Sequence, residues 1–202
     1  MRVLDLFSGL GGFSQAFVNH GWEVCRIENN PLLSEVPHTH IMDVVEFRDQ
    51  LLDAQRRGLP IKSVDVVVAS PPCYEFSMGF NAPRALASRE NRLDEYKPNM
   101  ELVDVAREII NILKPKYWII ENVQGACRYF EPVLGPHRQR VGAFFFWGNF
   151  PLMHIMGKVP TKAEKDKRHE ELRSNYRAKV PIQISQALLV AILSQRSIYD
   201  FC

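Results

Sequence analysis

The sequence predicts an α/β protein, a mostly parallel sheet with helices on its faces. Three observations carry this. VDVVVA at 64–69 is the most continuous apolar run to that point in the chain and is rich in β-branched residues, the pattern of a strand buried on both faces. Short runs of this kind alternate with amphipathic stretches along the chain. The first run, at 3–7, passes directly into SGLGG, a tight glycine turn that opens a helix.

Each element follows in order. Residues 3–7 form a strand interrupted only by Asp5, and 13–20 form a helix that Gly21 stops. A second strand, 22–27, ends at Glu28 in the loop ENNP, and a helix over 46–57 is closed by Gly58. After the strand at 64–69, SPPC opens a polar loop reaching to about residue 98. Leu102, Val103, Ala106, Ile109, Ile110 and Leu113 repeat at helical spacing over 99–113, and Pro115 ends that helix. Residues 117–120 are a short buried strand followed by ENV, and AFFFW at 143–147 is another strand. A polar, basic-rich stretch follows, read as an inserted lobe or a mobile loop, and a helix over 181–195 begins at a proline. The chain therefore divides into a core over 1–150, a short insertion over 151–180 and a C-terminal helix over 181–202 packing back on the core.

The chain has 202 residues, 46% hydrophobic and 24% charged, enough to bury a core in one domain. This composition excludes collagen, coiled coil and bulk disorder. The net charge of +2 allows a nucleic-acid partner without demanding one. No apolar run approaches the ~20 residues of a membrane span, and MRVLDLFSG lacks a signal-peptide cleavage pattern. Cys25, Cys73, Cys127 and Cys202 contain no CxxC pair, so no metal is expected and a reducing setting, cytoplasmic or nuclear, is the simplest fit.

Ligands of open α/β sheets bind at the carboxyl ends of the strands, and four polar clusters fall at such ends. The first is DLFSGLGG, where Gly9 and Gly11 let backbone approach a ligand; Glu28 follows about 20 residues on, where a ribose hydroxyl is held. A structural turn with a capping acid reads the same way, and the last glycine of GxGxxG is missing. In SPPC, two prolines stiffen the chain and fix the aim of Cys73. A thiol there is either a nucleophile or a buried apolar group; the polar loop favours the nucleophile. Glu121, at the edge of an apolar strand, fits a proton donor whose pKa desolvation raises, or a loop ion pair. Arg138 and Arg140 alternate in HRQRV and so point one way, to clamp a phosphate, to orient the carboxyl or to face solvent.

Together these residues resemble the C5-cytosine DNA methyltransferases. DLFSGLGGFS is similar to that family's first motif, PPCYEFS to its catalytic loop and ENV to its glutamate motif, in the same order and rough spacing. HRQRV is similar to the paired-arginine motif, and VPIQISQALLVAI, more weakly, to the closing helix motif. The resemblance implies a Rossmann-like fold and S-adenosyl-L-methionine as cofactor. It places Asp5, Phe7, Ser8, Gly9, Gly11, Gly12, Glu28, Asn29, Asp43 and Pro71 around that cofactor, with Glu28 on the ribose hydroxyls and Asp43 toward the adenine amino group. Cys73 becomes the nucleophile, Glu121 the acid on the cytosine ring, and Arg138 and Arg140 organisers of the site. The implied partner is DNA with its target cytosine flipped out, in a prokaryotic or virus-infected cytoplasm.

The chain also departs from the family pattern. Pro136 replaces a glutamine ahead of the arginines, and Ser185-Gln186 replace a Gly-Asn pair in the closing motif. Only residues 124–137 separate ENV from HRQR, where a further helix and strand are usual, so the expected sheet is one strand short. The span after Trp147 is short for a target recognition domain, which leaves recognition to a second copy or a partner chain. Within it, Lys158, Lys162, Lys165, Lys167, Arg168, Arg173, Arg177 and Lys179 are candidates to meet phosphates. Glu164, Asp166, Glu170 and Glu171 offset half of that charge. Rival readings are an amino-methyltransferase, since SPPC with Tyr74 nearly fits its motif, a cytosine methyltransferase acting on RNA or nucleotides, and an inactive cofactor- or DNA-binding partner.

Overall fold

The computed structural model describes residues 1–160 and 171–195. Its strands are β1 (Arg2–Leu6), β2 (Glu23–Glu28), β3 (Thr39–Ile41), β4 (Val66–Ala69), β5 (Tyr117–Asn122), β6 (Gln139–Val141) and β7 (Phe144–Asn149). Its helices are α1 (Gln15–Asn19), α2 (Val44–Arg56), α3 (Pro83–Arg89), α4 (Glu101–Leu113), α5 (Cys127–Leu134), α6 (Arg173–Ala178) and α7 (Ile182–Leu193). The strands form one sheet in the order β3-β2-β1-β4-β5-β7-β6. Strands β1 to β5 pair in parallel, and β7 runs antiparallel to both β5 and β6. This is the mostly parallel, Rossmann-like sheet the sequence predicts. The strand order reverses between β1 and β4, and a crevice opens at their carboxyl ends.

Burial on both faces follows from the alternation of side chains along each strand. In β4, Val66 and Val68 join a core with Phe13, Phe17, Phe146 and Leu188, under α1 and α7. Val67 and Ala69 join the opposite core with Leu4, Ile109, Ile120 and Trp147, under α2, α4 and α5.

Four features differ from expectation. Strand β3 was hidden because its residues, Thr39, His40 and Ile41, are a short, half-exposed edge with no apolar run. The polar loop after SPPC contains α3, which starts at Pro83 where a missing N–H costs nothing. Glu121 and Asn122 are the last residues of β5 rather than a loop beyond it, because β7 pairs with them through Phe146 and Phe145. The sheet is not short of a strand: α5 occupies the stretch after ENV, Gly135 ends it, and the chain enters the three-residue β6 directly.

Downstream, Met153 is buried and its backbone is bound at both ends by one amide. Gln139 Nε2 donates to Met153 O (2.7 Å), and Met153 N donates to Gln139 Oε1 (2.8 Å). Lys162, Glu164, Lys165, Asp166, Lys167, Arg168, Glu170 and Cys202 lie outside the described residues. Among the described residues no helix is long and apolar enough to cross a membrane.

Candidate active site

The carboxyl ends of β1, β2 and β4 open on one crevice of about 940 Å³, the size of a ligand cleft. The glycine turn after β1 forms its floor. Phe7 holds φ at 56°, a left-handed conformation that disfavours a side chain. The strain sits where β1 must turn sharply into the loop, at a residue lining the crevice.

Two glycines in that turn are required by close approach. A Cβ on Gly11 would collide with the guanidinium of Arg26, and one on Gly12 with Val180 O, just before α7. Gly11 thus serves a protein contact. It is absent from the crevice lining, unlike Phe7, Ser8, Gly9 and Gly12.

Arg26 is 1% exposed and ties the turn to β2. Its Nε donates to Ser14 Oγ (2.9 Å), and its terminal nitrogens donate to Gly11 O (3.0 Å) and Pro37 O (2.8 Å). The neighbouring Asp5 is also 1% exposed. Burial pushes its pKa up to about 6, although Ser14 and Arg26 pull it back.

Glu28 closes the adjoining wall. Its carboxylate accepts from Gly9 N (2.7 Å) and Asn30 N (3.0 Å), which fixes it facing the crevice with acceptor capacity left over. Asn29 and Asp43 also line this wall, and Asp43 caps α2 by accepting from Val45 N (2.8 Å).

The turn after β4 supplies the opposite wall, with Ser70, Pro72, Cys73, Tyr74 and Ser77. Phe76 N and Ser77 N both donate to Cys73 O (3.1 and 2.9 Å), which coils the chain just past the thiol. Asn122 Nδ2 donates to Pro71 O (3.0 Å), a buried bond joining this turn to the end of β5. Glu121 is 7% exposed beside it. It stands one residue beyond the paired Ala69 and Ile120, hence next to Ser70.

The structure therefore brings Asp5, Phe7, Ser8, Gly9, Gly12, Glu28, Asn29, Asp43 and Cys73 to one crevice. Pro71 and Glu121 are not in its lining, Pro71 falling between the lining residues Ser70 and Pro72 and Glu121 beside Ser70 in the sheet. Arg138 and Arg140 do not line it, and they do not share a direction. Arg138 precedes β6, donates to Phe150 O and lies over the Phe150 ring. Arg140 donates to Gly142 O (2.9 Å) and lies over Phe145. Those rings belong to the two different cores, and Arg138 stands one residue before β6, outside the alternation that begins at Gln139. Ser185 is fully buried between α7 and the first turn of α1, while the chain just before α7 reaches the crevice. The sequence reading did not assign Tyr74, Phe80, Leu102 or Asn175 to the crevice, while Arg173 and Lys179, read as candidates to meet phosphates, form its roof with Asn175 of the α6 region. The basic composition of that segment was the signal for the roof.

Three buried oxygens on the crevice wall, Asp5 Oδ2, Ser8 Oγ and Ser70 Oγ, have no hydrogen-bond partner among the described residues. Buried polar atoms are paired in most proteins. An acid and two hydroxyls left over suit a ligand bearing an ammonium and a carboxylate, as the methionine end of S-adenosyl-L-methionine does.

A family model described as C-5 cytosine-specific DNA methylase matches residues 1–129. Among curated relatives, the type II methyltransferase M1.HphI of Haemophilus parahaemolyticus is 29% identical over 61% of this chain and 32% of its own length. The type II methyltransferase M.DdeI of Desulfomicrobium norvegicum is 29% identical over 62% of this chain and 28% of its own. The chain thus spans about a third of the length of these relatives. A solved SAM-dependent methyltransferase from Archaeoglobus fulgidus is 22% identical over 60% of this chain and 44% of that one, at a TM-score of 0.34.

Proposed function

The chain belongs to the family of C-5 cytosine-specific DNA methylases, and on that premise we propose that it transfers a methyl group from S-adenosyl-L-methionine to carbon 5 of cytosine in DNA, through a covalent Cys73 adduct. The observation that carries this is the Asn122–Pro71 bond. It fastens the turn bearing Cys73 to the strand end bearing Glu121, while Cys73 shares a crevice with the glycine turn and Glu28.

The residues divide the work as follows. Asp5, Ser8 and Ser70 hold the methionine end of the cofactor, Glu28 the ribose hydroxyls, and Asp43 faces the adenine. When bound, the cofactor supplies an electrophilic methyl group on a sulfonium. The Cys73 thiolate adds to carbon 6 of cytosine. Glu121 holds a proton at ring nitrogen 3, so the electron pair released from the 5,6 double bond gathers at carbon 5, which takes the methyl. Loss of the carbon 5 proton to a base, with expulsion of the Cys73 thiolate, restores the ring.

A cytosine stacked in a duplex is out of reach of a thiol inside a crevice, so the target leaves the stack. In this reading residues 1–150 are the catalytic core, 151–180 an insertion whose α6 roofs the crevice, and 181–202 the closing segment. A second copy or a partner chain completes the recognition surface, and the reaction runs in a bacterial or virus-infected cytoplasm.

The test is transfer of tritiated methyl to duplex DNA, RNA and dCMP, with the modified base identified by mass spectrometry. 5-Methylcytosine in DNA, abolished by Cys73→Ser, is the expected result. An N-methylated base, or full activity in Cys73→Ser, overturns the reading.

A further inference from the structure

The turn carrying Cys73 is held from behind by a pair of residues to which neither the sequence nor the reaction assigns a role. Glu75 lies two residues past the thiol, and Tyr96 lies at the far end of the long excursion that contains α3. Tyr96 Oη is 2.6 Å from Glu75 Oε2 and 3.0 Å from Glu75 O, so the phenol engages both the side chain and the backbone of one residue. Asn99 N adds a longer contact to the same carboxylate oxygen (3.5 Å). Burial, with the Glu75 carboxylate beside it, pushes the Tyr96 pKa well above its ordinary value. The phenol therefore keeps its proton, and its role as donor, across the working pH range.

The pair does not float on the surface. Tyr96 packs edge-on against Tyr129 of α5 (centroids 6.4 Å apart), and Tyr129 lies 6.0 Å from Phe76, the neighbour of Glu75. Phe76 is 2% exposed and sits edge-on to Phe130, also of α5. A Cβ on Gly125 would collide with Phe76 O, so the chain entering α5 is pressed against this turn. Helix α5 begins at Cys127, one 3-10 turn (Gln124–Ala126) past Glu121 and Asn122. The Cys73 turn is thus tied to the same segment twice, by Asn122 ahead of the thiol and by the Glu75–Tyr96–Tyr129 stack behind it.

We propose that Glu75 and Tyr96 are a positioning pair: their hydrogen bond closes the base of the 78–95 excursion and fixes the aim of Cys73 toward the crevice. The proposal deepens the methyl-transfer reading and rests on it for its kinetic test. The pair touches neither reacting atom. It acts by stopping the turn from swinging when the excursion moves.

Tyr96→Phe removes the donor and keeps the ring. The expected result is a fall of about tenfold in kcat for methyl transfer, with KM for the cofactor within twofold of the parent, since small misplacement of a reacting group costs turnover. Alkylation of Cys73 by iodoacetamide, which needs no fixed aim, is expected to proceed at least as fast as in the parent. Glu75→Gln keeps an acceptor oxygen and restores most of the activity that Glu75→Ala loses. Glu75→Ala combined with Tyr96→Phe is no worse than either alone. Parental kcat in Tyr96→Phe, or additive losses in the double variant, overturns the proposal. If the parent itself transfers no methyl, hydrogen exchange over residues 73–80 decides: faster exchange in Tyr96→Phe supports the clamp, and unchanged exchange refutes it.

Discussion

Asp5 shows how one residue sets a pH window. Its carboxyl is buried on β1 and ionises near pH 6, against 3.8 for an unperturbed side chain. Between those values the folded protein holds a proton that the unfolded chain releases. The stability this group contributes is therefore complete below about pH 3.8 and lost as pH rises through about 6. A bound ammonium acts in the opposite sense, because it favours the carboxylate. Cofactor affinity, measured calorimetrically from pH 5 to 8, is expected to weaken as pH falls through 6. Asp5→Asn weakens it by about tenfold at pH 8, the scale of one hydrogen bond to a charged group, and flattens the profile. At this scale the sequence was largely readable. Cys73 and Glu28 stand out because a reactive or charged residue ends an apolar strand. Arg26 was not readable, since nothing in VCRIENN reveals that its guanidinium folds back under the glycine turn instead of reaching water. Arg138 and Arg140 were misjudged because the strand meant to align them starts one residue too late for the first.

Helix α1 has only five residues, too few to be stable by itself. It is held by packing and by Ser185 on α7. Ser185 Oγ donates to Phe13 O (2.7 Å) and accepts from Ala16 N (3.0 Å) with no exposure to solvent. Ser185→Ala leaves both backbone groups unpaired in the core, at a cost of about 1–3 kcal/mol. A lowered melting temperature is expected, together with weakened cofactor binding, because α1 extends from the glycine turn. An unchanged melting curve counts against this role. Elements with strong periodicity, such as α4, or with continuous apolar runs, such as β4 and β7, were legible from sequence within a few residues. Those that exist only through tertiary contact were not. β3 needs β2 as its template, α3 is short and polar, and α5 carries a proline inside it.

At the scale of the whole molecule, a net charge of +2 is too small for binding driven by bulk attraction. Any hold on DNA must come from local concentration of charge, and the roof of the crevice already contributes Arg173, Arg177 and Lys179. Replacing Lys165, Lys167 and Arg168 by glutamine is expected to weaken DNA binding and reduce the slope of log K against log salt by about one unit per lost phosphate contact. A slope equal to that of the parent removes this segment from the interface.

The sheet treats differently the two groups proposed to react. Glu121 lies within a ladder, paired with Phe146 of β7, so its place survives for as long as the sheet does. Cys73 sits in a turn outside the ladder, held by its own main-chain bonds and by the Asn122 and Tyr96 side chains. Gentle warming should therefore disarm the sulfur while the acid stays put, and loss of turnover should precede the calorimetric melt by several degrees.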